Sequence, residues 1–265
     1  MGTVSCVSIV SIIVCGLVCA IIPLILFLLY KKSGAHYIPF IMGVCVFFVL
    51  VLVIESSINS IIFSYTNIGS AISNKIAIYS LFVGGMAGIF EETGRLVAFK
   101  TVLKKYQNND VNALMYGAGH AGCEAILVVS MAMFSNLVIA ILINSGNEHV
   151  ILGQLSGDIL EQTRSQFQEL INTPWYVFIL SMVERIAAIT MHLSLSVLVW
   201  YAAKKRNRFF LYPVAVIIHM IVDAAATYLS YKDVNIFIIE FLLVVANVIL
   251  AFFAKEIWNK ETLKS

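Results

Sequence analysis

Seven long apolar stretches, separated by short polar connections, dominate the pattern of hydrophobic and polar positions along this 265-residue chain. A helix needs about 20 mainly apolar residues to cross the hydrocarbon core of a bilayer, and each stretch reaches that length. The pattern therefore predicts an all-α, polytopic membrane helical bundle of about seven transmembrane helices, forming a single integral membrane domain over residues 1–265. The predicted spans are 6–30, 38–64, 76–99, 111–143, 175–203, 209–231 and 235–254.

One hydrophilic connection, residues 145–174, is long enough to hold structure of its own. It is acidic, and apolar residues such as Leu155, Ile159 and Phe167 recur in it at helical spacing. An amphipathic helix is therefore predicted here. Such a helix either lies on the membrane surface or belongs to a solvated loop, and the sequence does not decide between them.

The composition agrees with a membrane protein. Hydrophobic residues make up 60% of the chain and charged residues only 12%, whereas soluble domains carry about 25% charged residues. The formal net charge of +2 gives no reason to expect a nucleic-acid partner. The cysteines all fall in apolar segments, where free cysteine usually packs as a small hydrophobe, so we expect no disulfide framework. They are Cys6, Cys15, Cys19, Cys45 and Cys123.

The basic residues predict an orientation. Of the 17 Lys and Arg residues, twelve lie beyond the first, third and fifth spans or in the C-terminal tail, and only Lys75, Arg164 and Lys232 lie at the opposite ends. Because cytoplasmic connections carry the excess of positive charge, the N-terminus is predicted outside and the C-terminus in the cytoplasm. The twelve are Lys31, Lys32, Lys100, Lys104, Lys105, Lys204, Lys205, Arg206, Arg208, Lys255, Lys260 and Lys264.

Ionisable residues fall inside three of the predicted spans. A charged side chain at membrane depth costs about 3 kcal/mol or more unless it faces a protein interior or water, so a chain that carries several is expected to use them. Residues four apart share a helix face. We therefore expect each arginine or histidine to contact a carboxylate of its own helix, although such bonds often reach a neighbouring helix instead. The groups are Glu91 and Glu92 with Arg95, His120 with Glu124, and His219 with Asp223.

Four polar residues from four helices share one predicted depth. At about 1.5 Å per residue, Glu92, His120, His192 and His219 each lie about 15–18 Å from the basic end of their span. Convergence on one layer is what a buried site requires. For His192, which no short motif marks, a structural hydrogen bond between helices is an equal alternative. Small residues at four-residue spacing let membrane helices approach closely here, and they are Gly84/Gly88 and Ala113/Gly117/Ala121/Ala125.

Adjacent glutamates and several histidines in one buried layer suit hydrolysis. A carboxylate acts as general base on water, one histidine positions that water, and another stabilises the oxyanion. The same layer has the composition of a zinc site, with His120, His192 and His219 as ligands and an open position for water. No HExxH motif is present, so such a site would be assembled from separate helices. The sequence leaves both versions open.

Three motifs together resemble the YhfC family of intramembrane metallopeptidases, which is grouped with the CAAX-protease and bacteriocin-processing superfamily and is distantly similar to PrsW-type proteases. In that superfamily the first motif is usually EExxxR, whereas this chain has EExxR, and many members have Asn in place of Asp223. The resemblance covers the third to the sixth span. The motifs are Phe90-Glu91-Glu92-Thr93-Gly94-Arg95, Gly117-x-Gly119-His120-x-Gly122-x-Glu124 and His219-xxx-Asp223.

The resemblance implies an intramembrane protease of the bacterial cytoplasmic membrane, which cleaves a membrane-associated protein or peptide in a cavity facing the cytoplasm. It implies that Glu91 activates water with the help of His120, and that His219 and Asp223 hold the oxyanion region. Glu92 and Arg95 would support them. Two alternatives remain from the residues themselves: a non-catalytic membrane scaffold, and a proton- or metal-coupled transporter, for which intramembrane His/Glu relays are equally apt.

Overall fold

The computed structural model describes residues 2–263, and among these residues it contains helices and turns but no strand. Seven of the helical stretches are long and apolar enough to cross a membrane, which confirms the predicted all-α bundle. Lys264, counted above in the basic tail, lies outside the described residues. The seven stretches are Cys6–Lys32, Tyr37–Tyr65, Ile76–Lys100, Val111–Asn144, Trp175–Lys204, Arg206–Tyr231 and Ile236–Thr262.

Most predicted ends agree with these bounds to within about three residues, but the last helix continues to Thr262 rather than ending near residue 254. It does so because backbone hydrogen bonding carries a helix onward after its apolar run has ended. The polar end is also fixed in place: Glu261 accepts hydrogen bonds from Lys205 and Arg208.

We number the α-helices in chain order. Two π-helical segments, Phe47–Glu55 and Ala125–Ser130, interrupt the second and fourth spans, and the latter follows Glu124 directly. The α-helices are α1 (Cys6–Lys32), α2 (Tyr37–Val46), α3 (Ser56–Tyr65), α4 (Asn67–Ser73), α5 (Ile76–Lys100), α6 (Val111–Glu124), α7 (Met131–Asn144), α8 (His149–Leu152), α9 (Gly157–Asn172), α10 (Trp175–Lys204), α11 (Leu211–Tyr231) and α12 (Ile236–Thr262). Short 3₁₀ turns lie at Lys104–Tyr106 and Arg206–Arg208.

The chain divides into two compact units. The first comprises the residues up to Ile22 together with Ala125–Arg185. It contains α9, the helix in the hydrophilic connection, which buries Phe167 and Leu170 and packs against α7. Its opposite face is polar and exposed, so this helix has the amphipathic pattern that the sequence indicates. Its position on a membrane surface stays a prediction.

The second unit comprises Pro23–Glu124 and the residues from Ile186 onward, and it holds every residue of the predicted site. Glycines bring its helices into backbone contact. A Cβ added at Gly84 would lie 2.4 Å from the Met220 carbonyl oxygen, and one at Gly88 would lie 2.8 Å from that of Val216. Because no real Cβ tolerates such distances, these two glycines let α5 lie directly on α11.

Helix α6 is held in the same way on two sides. A Cβ at Gly119 would lie 2.0 Å from the Phe40 carbonyl oxygen of α2, and one at Gly117 would lie 2.8 Å from the Ser196 hydroxyl of α10. Of the small residues predicted to allow close approach, Gly84, Gly88 and Gly117 therefore lie at helix contacts. They bring the polar layers of α5, α6, α10 and α11 within reach of one another.

Candidate active site

Glu92 and Arg95 form a buried ion pair on α5. Both side chains have no exposed surface, and the Arg95 Nη1 group donates to Glu92 Oε2. The Nη2 group of Arg95 points to α10, where it donates to His192 Nδ1 at 3.2 Å. Arg95 was expected to pair with Glu91, but it pairs with Glu92 instead. The Glu91 carboxylate points to α6, where it bonds to His120.

Glu91 lies among three histidines from three helices. Its Oε2 accepts a hydrogen bond from His120 Nε2 at 2.8 Å. The same oxygen is 3.8 Å from His192 Nδ1 and 3.9 Å from His219 Nε2. A single buried carboxylate oxygen therefore has an imidazole nitrogen of α6, α10 and α11 around it.

The two His/carboxylate pairs predicted within one helix have different outcomes. His120 bonds to Glu91 rather than to Glu124, whose Oε2 instead lies 2.9 Å from His192 Nε2 on α10. His219 keeps its own-helix partner, with Nε2 3.3 Å from Asp223 Oδ2. Its other nitrogen, Nδ1, donates to Glu92 at 2.9 Å. The site is thus connected mainly between helices, which spacing along one helix does not reveal.

The exposure of this cluster is greatest at one edge. The side chains of Glu124 and Asp223 are 19% and 32% exposed, whereas those of the three histidines are at most 2% exposed. Each of these carboxylates follows its helix's histidine by one turn. They therefore mark the edge of the site that lies away from the basic ends of α5 and α10.

A family model described as YhfC intramembrane metalloprotease matches residues 18–244, a range that includes the whole cluster. The chain belongs to the YhfC intramembrane metalloprotease family. It is also 32% identical over 205 residues to "Uncharacterized membrane protein YhfC" of Bacillus subtilis (strain 168), a match that covers 77% of this chain and 78% of that protein. No solved structure matches the chain.

Membership of the YhfC family confirms the resemblance drawn from the motifs, while the wider kinship with CAAX proteases stays a prediction. The protein is an integral membrane protein, and the bacterial cytoplasmic membrane fits both its family and its seven apolar helices. The name of the YhfC family also implies a metal.

The donor set of the cluster does fit a metal ion. Glu91, His120 and His192 each offer one ligand atom, and these atoms lie within 4.8 Å of one another. Two imidazoles and one carboxylate with an open position are a typical set for catalytic zinc. His219, a member of the three-histidine set predicted from the sequence, is not in this group. The two sets share His120 and His192.

The protonation of His192 agrees with a ligand role. Arg95 always carries its protons, so a bond from Arg95 to Nδ1 makes that nitrogen an acceptor and leaves the His192 proton on Nε2, facing Glu124. A ligating histidine ordinarily gives its second N–H to a carboxylate in this way. Glu124 therefore orients His192, and an ion at Nδ1 would replace the Arg95 contact.

Two buried polar residues of this region did not stand out in the sequence. Glu55 ends the π-helical segment, is only 7% exposed, and is close enough to Glu91 and Asp223 to interact with their charges. Tyr116 precedes His120 by one helical turn and is fully buried. The spacing of four between Tyr116 and His120 is a signal that the sequence contains, whereas the position of Glu55 depends on how α2 and its π-helical continuation pack.

Proposed function

We propose that the protein is an intramembrane endopeptidase that hydrolyses a peptide bond of a membrane-associated protein or peptide. The observation that carries the proposal is the position of Glu91, a buried carboxylate whose Oε2 faces imidazole nitrogens of three helices at 2.8–3.9 Å. Such a layer is costly at membrane depth. A packing role alone gives no reason to surround one carboxylate with three titratable rings.

In this proposal Glu91 is the general base. It takes a proton from water as the water oxygen bonds to the carbonyl carbon of the substrate, and it then gives that proton to the leaving nitrogen as the C–N bond breaks. The remaining hydroxyl proton of the water leaves with the new carboxylic acid. His120, bonded to the Glu91 oxygen, orients the carboxylate for both transfers.

The neighbouring residues keep Glu91 available for this work. Arg95 and His219 bind Glu92, so the second glutamate of the motif is fully engaged. His219 is in turn fixed by Asp223. Glu92, Arg95, His219 and Asp223 thus form a rigid frame on α5 and α11, and preorganised groups of this kind cost no rearrangement during the reaction.

In the metal-bound alternative, an ion would be held by Glu91, His120 and His192, and Glu91 would then act as a ligand rather than as the general base. The ion would supply Lewis acidity that polarises water and the carbonyl oxygen of the substrate. Zinc is the metal that this donor set favours.

We further propose that the N-terminus lies outside and that the cluster lies in the cytoplasmic half of the bilayer. The basic residues at the ends of α5 and α10 support this orientation. A fluorescent protein fused after Ser265 would be fluorescent if the C-terminus is cytoplasmic. Alkaline phosphatase at the same position would be active only if the C-terminus is outside, which would contradict the proposed orientation.

The decisive experiment compares three forms of the protein in the same bacterial host. Wild type, Glu91→Gln and the matched control Glu161→Gln, whose side chain is 71% exposed on α9, are expressed at equal levels. New N-termini in the membrane proteome are then read by mass spectrometry. We expect the same new fragments with wild type and Glu161→Gln, and their loss with Glu91→Gln. Equal fragments from all three forms would contradict the proposal.

A further inference from the structure

Hydrolysis of a peptide bond requires hydrogen-bond donors for the carbonyl oxygen, which gains negative charge in the transition state. The inference that follows rests on the proposed function. The motif resemblance gives this task to His219. In the structure, however, Nδ1 of His219 bonds to Glu92 and its Nε2 lies 3.3 Å from Asp223. Both N–H positions of His219 are thus directed at carboxylates.

The other two histidines have no free N–H group either. His192 accepts from Arg95 through Nδ1 and directs Nε2 to Glu124. His120 donates through Nε2 to Glu91, so its unpaired Nδ1 carries no proton in the neutral ring and cannot donate. A donor for the substrate oxygen therefore has to come from elsewhere in the cluster.

Two donors in this part of the molecule have no hydrogen-bond partner among residues 2–263: the Tyr116 hydroxyl and the Arg95 Nε–H. Both side chains are completely buried. A buried donor without a partner is costly, and native proteins leave few of them. When one persists, an ordered water or a ligand is the usual partner.

Tyr116 and Arg95 lie beside each other and beside the reacting groups. The Tyr116 ring stacks on that of His120 with the ring centroids 6.0 Å apart, and the Arg95 guanidinium carbon is 5.9 Å from the Tyr116 centroid. The Tyr116 hydroxyl is also close enough to interact electrostatically with Glu91 and Glu92. The unpaired hydroxyl therefore belongs to the same cluster as the proposed base.

Packing accounts for the ring of Tyr116 but not for its hydroxyl. The ring makes an edge contact with Phe99, with centroids 4.7 Å apart, and phenylalanine would make the same contact. A hydroxyl at this fully buried position adds only an unsatisfied polar group unless something binds to it.

We propose that Tyr116 is a further catalytic residue, whose hydroxyl donates a hydrogen bond to the carbonyl oxygen of the peptide bond being cleaved, with Arg95 Nε–H as the second donor. The ligand of this subsite is a peptide carbonyl group. Its oxygen accepts both hydrogen bonds, and these strengthen as the oxygen becomes negative.

The test uses the full-length protein in detergent or liposomes and the substitution Tyr116→Phe. The matched control is Tyr201→Phe, because Tyr201 is also fully buried but its hydroxyl donates to Asp110 at 3.1 Å. On a peptide cleaved by wild type, we expect Tyr116→Phe to lower kcat about 100-fold with little change in KM and no loss of Tm. Tyr201→Phe should keep its kcat and lose Tm.

Two results would overturn the inference. An unchanged kcat in Tyr116→Phe would show that the hydroxyl does not act on the substrate. A fall in Tm as large as that of Tyr201→Phe would assign the hydroxyl a structural role.

A second measurement separates this inference from the proposed function. A hydrophobic tripeptide aldehyde, which presents a carbonyl group, should raise the Tm of wild type and Tyr201→Phe, and should raise that of Tyr116→Phe less. If wild type cleaves no peptide but shows this pattern, the carbonyl subsite stands and the protease proposal fails. Equal stabilisation of all three forms, or none of wild type, overturns the subsite.

Discussion

Two carboxylates of the second unit, Asp110 and Glu91, are bound in opposite ways. At the basic end of the helices, Asp110 accepts from Trp200, Tyr201 and Lys204 at 2.6–3.1 Å. In the middle of the helices, Glu91 is surrounded mainly by histidines, which gain and lose protons easily. The first carboxylate is bound only by groups that donate a hydrogen bond to it, whereas the second is surrounded by imidazoles, which can either donate or accept a proton.

The two regions also differ in how completely their polar atoms are paired. Among the described residues, every buried side-chain polar atom of Asp110 and its three donors has a hydrogen-bond partner. Around Glu91, by contrast, Tyr116 Oη, Arg95 Nε and His120 Nδ1 are buried and have none. A fully satisfied network rigidifies a structure. A network with unpaired donors and acceptors can still form hydrogen bonds to a ligand. The comparison therefore separates a region that stabilises the fold from a region that can do chemistry.

The largest effect is expected from replacing the carboxylate of each region by its amide. Glu91→Gln should lower peptide cleavage about 10²–10⁴-fold without loss of stability. Asp110→Asn should keep activity per folded molecule but lower the free energy of unfolding by about 1.5–3 kcal/mol, because Lys204 loses its charged partner. The cleavage rate measures the activity of each variant, and unfolding in a denaturing detergent measures its stability. If Asp110→Asn lost activity as strongly as Glu91→Gln, the two regions would not have separate tasks.

Metal content sharpens the description of the histidine region. Purified wild type is expected to hold zinc, His192→Ala to lose it, and His219→Asn to keep it, because His219 is directed at Glu92 and Asp223. His149→Ala, in the short helix α8, is the control. Elemental analysis of the purified proteins measures the content. Loss of zinc from His219→Asn would favour the three-histidine ligand set, and its absence from wild type would favour water activation by Glu91 alone.

The Glu92–Arg95 pair tests whether the histidine region also contributes to stability. Glu92→Gln leaves the buried Arg95 without its counter-ion, and breaking such a pair costs about 3–5 kcal/mol. Lys205 and Arg208 hold Glu261 in a similar way, but with 24–29% exposed cations. Glu261→Gln should therefore cost less. An equal loss of unfolding free energy in both variants would mean that burial does not distinguish the two pairs.

Much of the fold could be predicted from the sequence because a bilayer imposes length and polarity on each span. Depth counting likewise predicted that Glu92, His120, His192 and His219 would meet. The sequence could not show which side chains bond to each other, because residue spacing along α6 does not tell how that helix is rotated about its axis. That rotation directs His120 to Glu91 and Glu124 to His192.

The smallest predicted effect concerns the contact that assembles the histidine region. Gly84 and Gly85 are neighbours on α5, but a Cβ at Gly84 would lie 2.4 Å from the Met220 carbonyl oxygen, whereas at Gly85 the nearest atom is the flexible Met220 sulfur at 3.8 Å. Gly84→Ala must push α5 from α11 and should cost about 1–3 kcal/mol. Gly85→Ala should be neutral or slightly stabilising, because alanine favours the helix.

Activity should follow the same order, since α5 carries Glu92 and α11 carries its partner His219. Bonds from Trp200 and Lys204 to Asp110 connect α10 to the start of α6, and α5 touches Trp200 through Phe99, about four helical turns from Gly84. Gly84→Ala should thus lower cleavage while Trp200 fluorescence, which reports on the Asp110 bond, stays unchanged. If the fluorescence changed together with activity, the two regions would respond as one unit, and the division between a stabilising end and a reactive middle would fail.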